Sequence, residues 1–356
     1  MSRHDDVCAA QNTDKTHREG IIGSDAGHDR SGPAAIEIGL NAAIITCAKD
    51  NPQILTVRQP VDDRPLEALP FGPFTPIRHR TLETGLRNWV AEQTGLHLGY
   101  AEQLYTFGDR GRHARADDNE PHAVSIGYLA LNRFDESTAL TGGHWQGIYA
   151  FFPWEDWRSG KPEIIDEEIV PRLTRWLADQ PADRPEVAAS PFSRADRLRM
   201  CFGTDGTQWD EEKVLERYEL LFEAGLVEEA AREGREAASQ WESLPLFGRA
   251  MHLDHRRILA TALGRLRAKI KYRPVVFELM DADFTLFELQ KTVEAILGSH
   301  LHKQNFRRLV ESGGLVEPTG DVRTHTGGRP AKLFRFRSEV LLERPAPGVR
   351  VHATLN

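Results

Sequence analysis

The chain has 356 residues, 40% of them hydrophobic and 28% charged, and its formal net charge at pH 7 is -8. This composition is typical of a globular protein with a sizeable core, and such a length usually holds roughly two or three domains. No segment approaches the roughly 18 consecutive apolar residues of a membrane span, and no apolar stretch near the amino terminus indicates a secretory signal. The sequence therefore predicts a cytoplasmic protein with no membrane partner.

The charge is distributed unevenly along the chain. Residues 256–337 contain 16 Lys or Arg against 8 Asp or Glu, a net +8, which leaves -16 for all other residues. A basic segment joined to an acidic body indicates a nucleic-acid contact in the basic part, with a solvated charged surface as the alternative. The three cysteines, Cys8, Cys47 and Cys201, show no metal-ligand or redox spacing and are expected to be reduced.

The amino-terminal part of the chain changes from polar to β-rich. Residues 1–34 are rich in Asp, His, Ser and Gly without periodicity, which predicts a disordered tail. Two β-rich runs follow, Ile36–Cys47 and Gln53–Arg58, and the turn-forming residues 50–52 between them predict a hairpin.

A helix and further strands complete this part. Apolar residues at helical spacing predict a helix over Thr81–Thr94 that ends at Gly95, a typical C-cap residue. Residues 100–109 and 122–134 are predicted strands. Strands, one helix and more strands indicate an α+β domain up to about residue 160.

The middle of the chain is predicted to be helical. Amphipathic helices are expected over Glu163–Leu177 and Asp210–Ala237, and their Glu-rich faces account for much of the acidic excess. A further helix over His255–Lys269 has an apolar stripe opposite Arg257 and Arg265. It is predicted to link the body to the last domain.

The segment "DFTLFELQKTVEAILG" contains capping signals for both ends of a helix. Thr285 is placed as the N-cap, with Glu288 three residues later to complete a capping box, and Gly298 ends the helix. Only the short turn "GSHL" separates it from the next predicted helix, in "HLHKQNFRRLVESGGL" (His300–Leu315). This spacing is typical of a helix-turn-helix.

The second helix has the pattern of a DNA recognition helix. At about 100° per residue, Phe306, Leu309 and Val310 share one face, which is expected to pack inward. Side chains with paired hydrogen-bonding groups, such as Gln304 and Arg308, would then face outward, as reading of base edges in the major groove requires. The alternative is a solvent-exposed helix that is basic by chance. The candidate DNA-binding residues on this helix are Lys303, Gln304, Asn305, Arg307 and Arg308.

The sequence after this helix predicts a β-hairpin wing. Short strands at Leu315–Val316 and around 333–337 flank a polar, Gly-containing loop. Arg323, Arg329 and Lys332 on this hairpin are candidates for phosphate or minor-groove contacts. Helix, turn, basic helix and basic wing together predict a winged helix that binds double-stranded DNA, with a protein-binding winged helix as the alternative.

The predicted helix "LETGLRNWVAEQTGL" followed by "EQLYTFGD" resembles the Nudix signature, whose glutamates hold magnesium ions. Aligned on Gly95 and Leu96, the three glutamate positions are Trp89, Glu92 and Gln93, so two of the three carboxylates are missing. Divalent cations on a diphosphate need clustered carboxylate oxygens, which these residues do not supply. We therefore expect no enzyme activity and no required cofactor or metal, and we expect Trp89 to be a core residue.

The segments "YELLFEAGLVEEA", "DHRRILATAL", "RLRAKIKYRPVVFEL", "HKQNFRRLVE" and "GGRPAKLFRFR" resemble Nudix-related transcriptional regulators of the NadQ type, over about residues 35–350. The resemblance implies a homodimeric regulator that binds a pseudo-palindromic operator, most simply as a repressor of NAD biosynthesis genes. Its former catalytic domain would sense NAD, ADP-ribose or ATP.

The fold class implied is α+β, with a Nudix-like mixed sheet, a helical segment and a winged helix-turn-helix at the carboxyl end. The expected bounds are a tail (1–34), a Nudix-like sensor domain (35–160), its helical extension (161–254), the winged helix domain (255–340) and a second tail (341–356).

Candidate ligand-binding residues come from loops and from the aromatic segment Gly143–Trp157. Its rings could stack an adenine or instead form core or interface. Basic loop residues could meet phosphates or be solvated. The candidate ligand-binding residues are Arg78, Arg80, Glu92, Arg112 and Trp154. His252 and His255 lack an evident third ligand, so a metal site there is not expected.

Two other functions remain open from the sequence. The first is a Nudix hydrolase of ADP-ribose or a related dinucleotide with an auxiliary winged helix, against which Trp89 and Gln93 argue. The second is a protein-binding scaffold, which the exposed pair of Gln304 and Arg308 argues against.

Overall fold

A mixed seven-stranded β-sheet is the centre of the amino-terminal half in the computed structural model, which describes residues 36–61, 64–108, 122–179, 192–243, 245, 247–324, 330–343 and 348–349. Strand order is β3-β2-β1-β6-β5, with β4 paired to β1 and β7 to β2. β1 and β6 run parallel and the other pairs are antiparallel. The strands are β1 (Ile36–Ala48), β2 (Asn51–Val61), β3 (Arg64–Ala68), β4 (Phe71–Pro73), β5 (Tyr100–Phe107), β6 (His122–Leu131) and β7 (Gly143–Gly147).

The predicted hairpin is formed by β1 and β2, and its turn is tighter than the sequence suggested. Ala48 pairs with Asn51, so only Lys49 and Asp50 lie in the turn, both with positive φ (49° and 61°). Two such residues match the right-handed twist of the strands, which makes this a favoured hairpin turn. Pro52, expected in the turn, belongs to β2.

Both faces of the sheet are covered. Leu40, Ala42 and Ile44 of β1 pack in one hydrophobic cluster, which includes Leu86 of α1 (Leu82–Thr94). Ala43 and Ile45, on the other face, belong to a larger cluster with residues of the carboxy-terminal helices. The alternation follows from the two-residue period of a strand. α1 has the predicted ends, because Thr81 Oγ1 accepts a hydrogen bond from Thr84 N (3.1 Å) and Gly95 is left-handed (φ 73°).

The helical middle part differs from the prediction. The expected single helix over 210–237 is broken, because Gly225 adopts φ 70°, and a Cβ added there would lie 2.3 Å from Ala238 N. A short α3, which was not predicted, begins with a capping box between Ser193 and Asp196. The helices here are α2 (Val170–Asp179), preceded by a π-helical turn (Ile165–Ile169), α3 (Arg194–Phe202), α4 (Val214–Glu223), α5 (Glu228–Arg232) and α6 (His255–Tyr272).

The carboxy-terminal elements have the predicted order of a winged helix. α7 begins with the capping box, in which Glu288 N donates to Thr285 Oγ1 (3.1 Å) and Thr285 N donates to Glu288 Oε2 (2.8 Å). Gly298 (φ 72°) ends it. The elements are α7 (Leu286–Leu297), α8 (Lys303–Ser312), β8 (Val316–Arg323), β9 (Ala331–Phe336) and α9 (Val340–Glu343). The α+β fold class with a carboxy-terminal winged helix is confirmed.

One hydrophobic cluster extends from the sheet through α4 and α6 to α7 and α8. It includes Ile45, Tyr218, Leu263, Val293 and Phe306, all essentially buried. All described residues fall in one compact unit. The predicted bounds at 160 and 254 therefore stay predictions, since the core is continuous across both. Within the described residues, no helix has the length and apolar character needed to cross a membrane.

Candidate nucleic-acid interface and cavity

α8 presents its charged residues to solvent and its apolar residues to the core. Phe306 and Val310 are buried, at 1% and 0% exposure, and Leu309 is half-buried, as the helical spacing predicted. All five residues predicted on this helix to bind DNA are exposed: Lys303, Gln304, Asn305, Arg307 and Arg308. Nη2 of Arg308 donates to Oδ1 of Asn305 (2.9 Å), which holds the guanidinium along the helix surface.

The turn between α7 and α8 is held by one buried carboxylate. Glu294, 2% exposed, accepts hydrogen bonds from Leu301 N (3.0 Å), Gln290 Nε2 (2.8 Å) and Lys291 Nζ (3.0 Å). Burial opposes ionisation, but these donors, the Leu301 N–H first among them, outweigh it and lower the pKa of Glu294. His300 Nδ1 lies 3.0 Å from the same carboxylate. The start of α8 is therefore fixed relative to α7.

The wing is fixed to α7 by both backbone and side chains. Phe284 N donates to Phe334 O (2.9 Å), and Phe334 N donates to Phe284 O (2.8 Å). Arg323, a predicted phosphate contact, is half-buried and paired with Glu288. Lys332 is exposed on β9, and Arg329 lies outside the described residues. The structure thus brings Lys332 and Arg323 to the wing, but the charge of Arg323 is already compensated.

A cavity of about 560 Å³ lies where β2, β7 and the end of α1 meet. Arg58 of β2 is largely exposed, and its Nε lies 3.8 Å from Oε1 of Glu67. His144 Nε2 lies 2.8 Å from Oε2 of Glu67. The lining residues are Val57, Arg58, Gln59, Gln93, Gly142 and His144. A cavity of this size falls in the range of about 300–1,000 Å³ that small-molecule ligands occupy.

Gln93, at the last glutamate position of the Nudix signature, has a structural role in this cavity wall. Its Nε2 donates to Phe71 O (2.7 Å), and its Oε1 accepts from Phe71 N (3.1 Å). The amide thus completes the backbone pairing of β4, which a carboxylate could not do because it has no donor. Trp89 is half-buried rather than a core residue. Its Nε1 donates to Pro73 O (3.0 Å), and its ring lies directly over Gly72, where a Cβ would be 2.4 Å away.

The predicted ligand-binding residues that the structure describes do not line the cavity together. Arg78, Arg80 and Glu92 are exposed, and none of them lines the cavity. Arg112 lies outside the described residues. Trp154 has a ring with no exposed surface that packs edge-on against Phe152, and its ligand contact stays a prediction. The lining residues other than Gln93 were not predicted, because they lie on β2 and in or beside β7, far apart in sequence and without a shared pattern.

Much of the aromatic part of segment 143–157 lies in the core. Phe151, Phe152 and Trp154 are fully buried, and Tyr149 Oη donates to Ala295 O of α7 (2.6 Å). His255, one of the two histidines considered for a metal, accepts a hydrogen bond from Leu69 N (3.0 Å). Among the described residues, no group of three or more His, Cys, Asp or Glu side chains could hold a metal ion.

The carboxy-terminal elements are similar to a known domain family. The family model of the NrtR DNA-binding winged helix domain matches residues 276–336. The ADPR responsive transcriptional repressor NtrR of Acinetobacter baylyi is 45% identical over 83 residues, which are 23% of this chain and 33% of that protein. The chain thus spans about a third of the length of this curated relative.

Solved structures give a weaker similarity over more of the chain. The crystal structure of Shewanella oneidensis NrtR has 20% identity and a TM-score of 0.48, covering 85% of this chain and 95% of that one. A MutT/nudix family protein from Enterococcus faecalis has 15% identity and a TM-score of 0.47, covering 87% and 90%. Such low scores carry no conclusion about function. The family match, in contrast, covers α7, α8 and both wing strands. The resemblance to the Nudix-related transcriptional regulators is thus confirmed for residues 276–336, which match the NrtR DNA-binding winged helix domain.

Proposed function

We propose that this protein is a ligand-responsive transcriptional regulator that binds double-stranded DNA through α8 and the wing. One observation carries the proposal: the helix that occupies the recognition position of an NrtR-type winged helix exposes Gln304, Asn305 and Arg308 together. These residue types make paired hydrogen bonds with base edges. Lys303 and Arg307 on the same helix have no ion pair within the described part of the chain, so their charges are available to phosphates.

ADP-ribose is the effector that we propose. The A. baylyi relative, similar to this chain over its carboxy-terminal part, is named as responsive to ADPR. The cavity between β2, β7 and α1 offers the exposed guanidinium of Arg58 for phosphates and the amide of Gln59 for polar ligand groups. The sequence resemblance to NadQ-type regulators supports repression of NAD biosynthesis genes by a homodimer on two half-sites.

Hydrolysis of ADP-ribose is the competing function. Gln93 uses both ends of its amide on the Phe71 backbone, and Trp89 occupies a position where a magnesium-binding carboxylate would be needed. We expect no magnesium-dependent turnover of ADP-ribose. Turnover of ADP-ribose at an ordinary enzymatic rate would favour the hydrolase function over the regulator function.

The experiment is a DNA-binding titration on the protein's own upstream region, with and without ADP-ribose, NAD or ATP. Specific binding that ADP-ribose changes at least severalfold is expected. Binding that is equal for this region and for unrelated DNA would contradict sequence-specific regulation. A change with NAD or ATP but not with ADP-ribose would reassign the effector.

A further inference from the structure

The segment that follows β7 is bonded to the last turn of α7. Tyr149 Oη donates to Ala295 O (2.6 Å), and Trp157 N donates to Gly298 O (2.6 Å). Carbonyls in the last turn of a helix have no partner within the helix, so these bonds satisfy groups that would otherwise need solvent. Burial raises the pKa of Tyr149 to about 12, so its hydroxyl stays protonated and remains a donor. We call residues 148–158 the strap.

A buried charge cluster holds the strap and α7 together. Arg267 Nε of α6 donates to Ile296 O (2.8 Å), while its Nη1 donates to Glu155 Oε2 (2.5 Å). Arg217 of α4 binds the same carboxylate through Nε (2.6 Å) and Nη2 (2.9 Å). All three side chains have 0% exposure. The strap, α4, α6 and the end of α7 are thus joined at one carboxylate.

Gly298 allows the strap to lie close to the turn between α7 and α8. Its φ of 72° is left-handed, and a Cβ added there would lie 2.2 Å from the carbonyl oxygen of Glu155 and 2.9 Å from Tyr149 Oη. Because Gly298 has no Cβ, the strap can lie in contact with this turn, and movement of the strap away from α7 would break the hydrogen bonds to Ala295 and Gly298. A displacement of the strap is therefore expected to displace the start of the turn between α7 and α8.

The other end of the strap continues directly into the cavity wall. His144 lines the cavity and pairs with Thr56 in the β2–β7 ladder, and Tyr149 follows only five residues later. At about 3.3 Å per residue, no more than roughly 17 Å of chain separates them. No flexible linker intervenes, because β7 passes straight into a 3-10 turn at Ile148–Ala150.

We propose that the strap couples the cavity to the helix-turn-helix, with Tyr149 as the contact that transmits ligand binding to α7. This inference rests on the proposed function, because it needs a ligand in the cavity and DNA on α8. A ligand that binds one position of β7 more tightly than another shifts the strap, and with it the orientation of α8. The size of the effect is limited to the difference in ligand affinity between the two positions.

The test compares Tyr149→Phe with Tyr100→Phe. Each removes one hydroxyl from a half-buried tyrosine, but Tyr100 bonds Glu102 and Lys269, away from α7. Operator affinity is measured with and without ADP-ribose by fluorescence anisotropy, and ADP-ribose affinity by calorimetry. The wild-type protein and Tyr100→Phe should show the same ratio of DNA affinities, about five- to 150-fold for an allosteric pair. In Tyr149→Phe the ratio should fall towards one, with ADP-ribose affinity within about twofold of wild type.

The outcomes separate the two proposals. A wild-type ratio of one overturns the proposed effector function, and the coupling with it. A wild-type ratio above one that Tyr149→Phe keeps, or that Tyr100→Phe loses equally, overturns the coupling alone. If Tyr149→Phe fails to fold, hydrogen exchange of the wild type decides. ADP-ribose should change exchange in both 143–158 and 295–303, and a change confined to 143–147 rejects the role of the strap.

Discussion

Glu155 Oε1 lies 2.6 Å from Arg217 Nε, and Glu155 Oε2 lies 2.9 Å from Arg217 Nη2, with neither side chain exposed to solvent. Because Arg267 binds the same carboxylate, one negative charge compensates two positive charges in the core. The arginines also donate to backbone carbonyls, Arg217 to Cys201 O and Arg267 to Ile296 O. This cluster connects the strap to α4, α6 and the end of α7.

Glu155→Gln should destabilise the protein by about 3–5 kcal/mol, because it leaves two buried guanidinium groups without their counter-charge. Glu168→Gln is the matched control. Its side chain is 45% exposed and pairs with Arg172 one turn away, so the change should cost below about 1 kcal/mol. Urea unfolding of both variants measures the difference. Equal losses would show that the buried cluster contributes no more than a surface pair.

The same carboxylate makes stability depend on pH. Burial opposes ionisation of Glu155, but Arg217 and Arg267 outweigh it and hold its pKa below the ordinary value of 4.5. As pH falls below about 5, the unfolded chain binds the proton first, so the free energy of unfolding decreases until the folded state is protonated as well. Glu155→Gln should show a shallower decrease in urea titrations at successive pH values. An unchanged slope would assign acid sensitivity to other carboxylates, Glu294 among them.

Gly298→Ala tests the close contact between strap and turn. Gly234 is the control, since its φ of 71° matches the 72° of Gly298 but a Cβ there meets nothing within 4 Å. Gly234→Ala should cost about 1–2 kcal/mol for the left-handed backbone alone. Gly298→Ala should cost clearly more, because its Cβ would lie 2.2 Å from the Glu155 carbonyl oxygen. Thermal unfolding measures the melting temperature of both variants. Equal decreases would mean that the strap can move aside for the Cβ without further loss of stability.

Gln304→Ala and Arg308→Ala should each reduce binding to the operator by about 1–3 kcal/mol, and the double variant should lose sequence preference. Glu311→Ala, exposed on the same helix, is the control and should retain sequence preference. Competition between operator and unrelated DNA checks the result. Retained preference in the double variant would place base reading elsewhere on the winged helix.

Lys303→Ala should weaken operator and unrelated DNA alike. Removing one phosphate contact lowers the slope of log affinity against log salt by about one. Titrations at several salt concentrations measure that slope for the variant and the wild type. An unchanged slope would show that Lys303 does not meet a phosphate.

Local signals in the sequence predicted the winged helix well. Thr285, Glu288 and Gly298 are bonded within a few residues of their partners, so their roles can be deduced from spacing alone. The alternation along β1 likewise predicted a strand, because each face of the sheet has its own hydrophobic cluster. Helix ends and strand faces depend on neighbours in the chain.

Contacts between distant segments were not predicted. Arg256 and Arg267 were counted in the basic excess of the carboxy-terminal part, yet both are buried with acidic partners, Glu229 and Glu155. No pattern distinguishes such an arginine from an exposed one, since its partner lies on another element. The cavity was missed for the same reason, because Arg58 and His144 belong to separate strands.

The pairing of Arg323 with Glu288 has a consequence for the wing. Glu288 also closes the capping box of α7, so Arg323 is held by a residue in the first turn of that helix. A DNA phosphate that binds Arg323 would replace the carboxylate of Glu288. The affinity gained from the phosphate contact would be offset by the loss of the Arg323–Glu288 ion pair. Arg323 would then add affinity only for DNA in which a phosphate lies close enough to the wing to replace Glu288 as its partner.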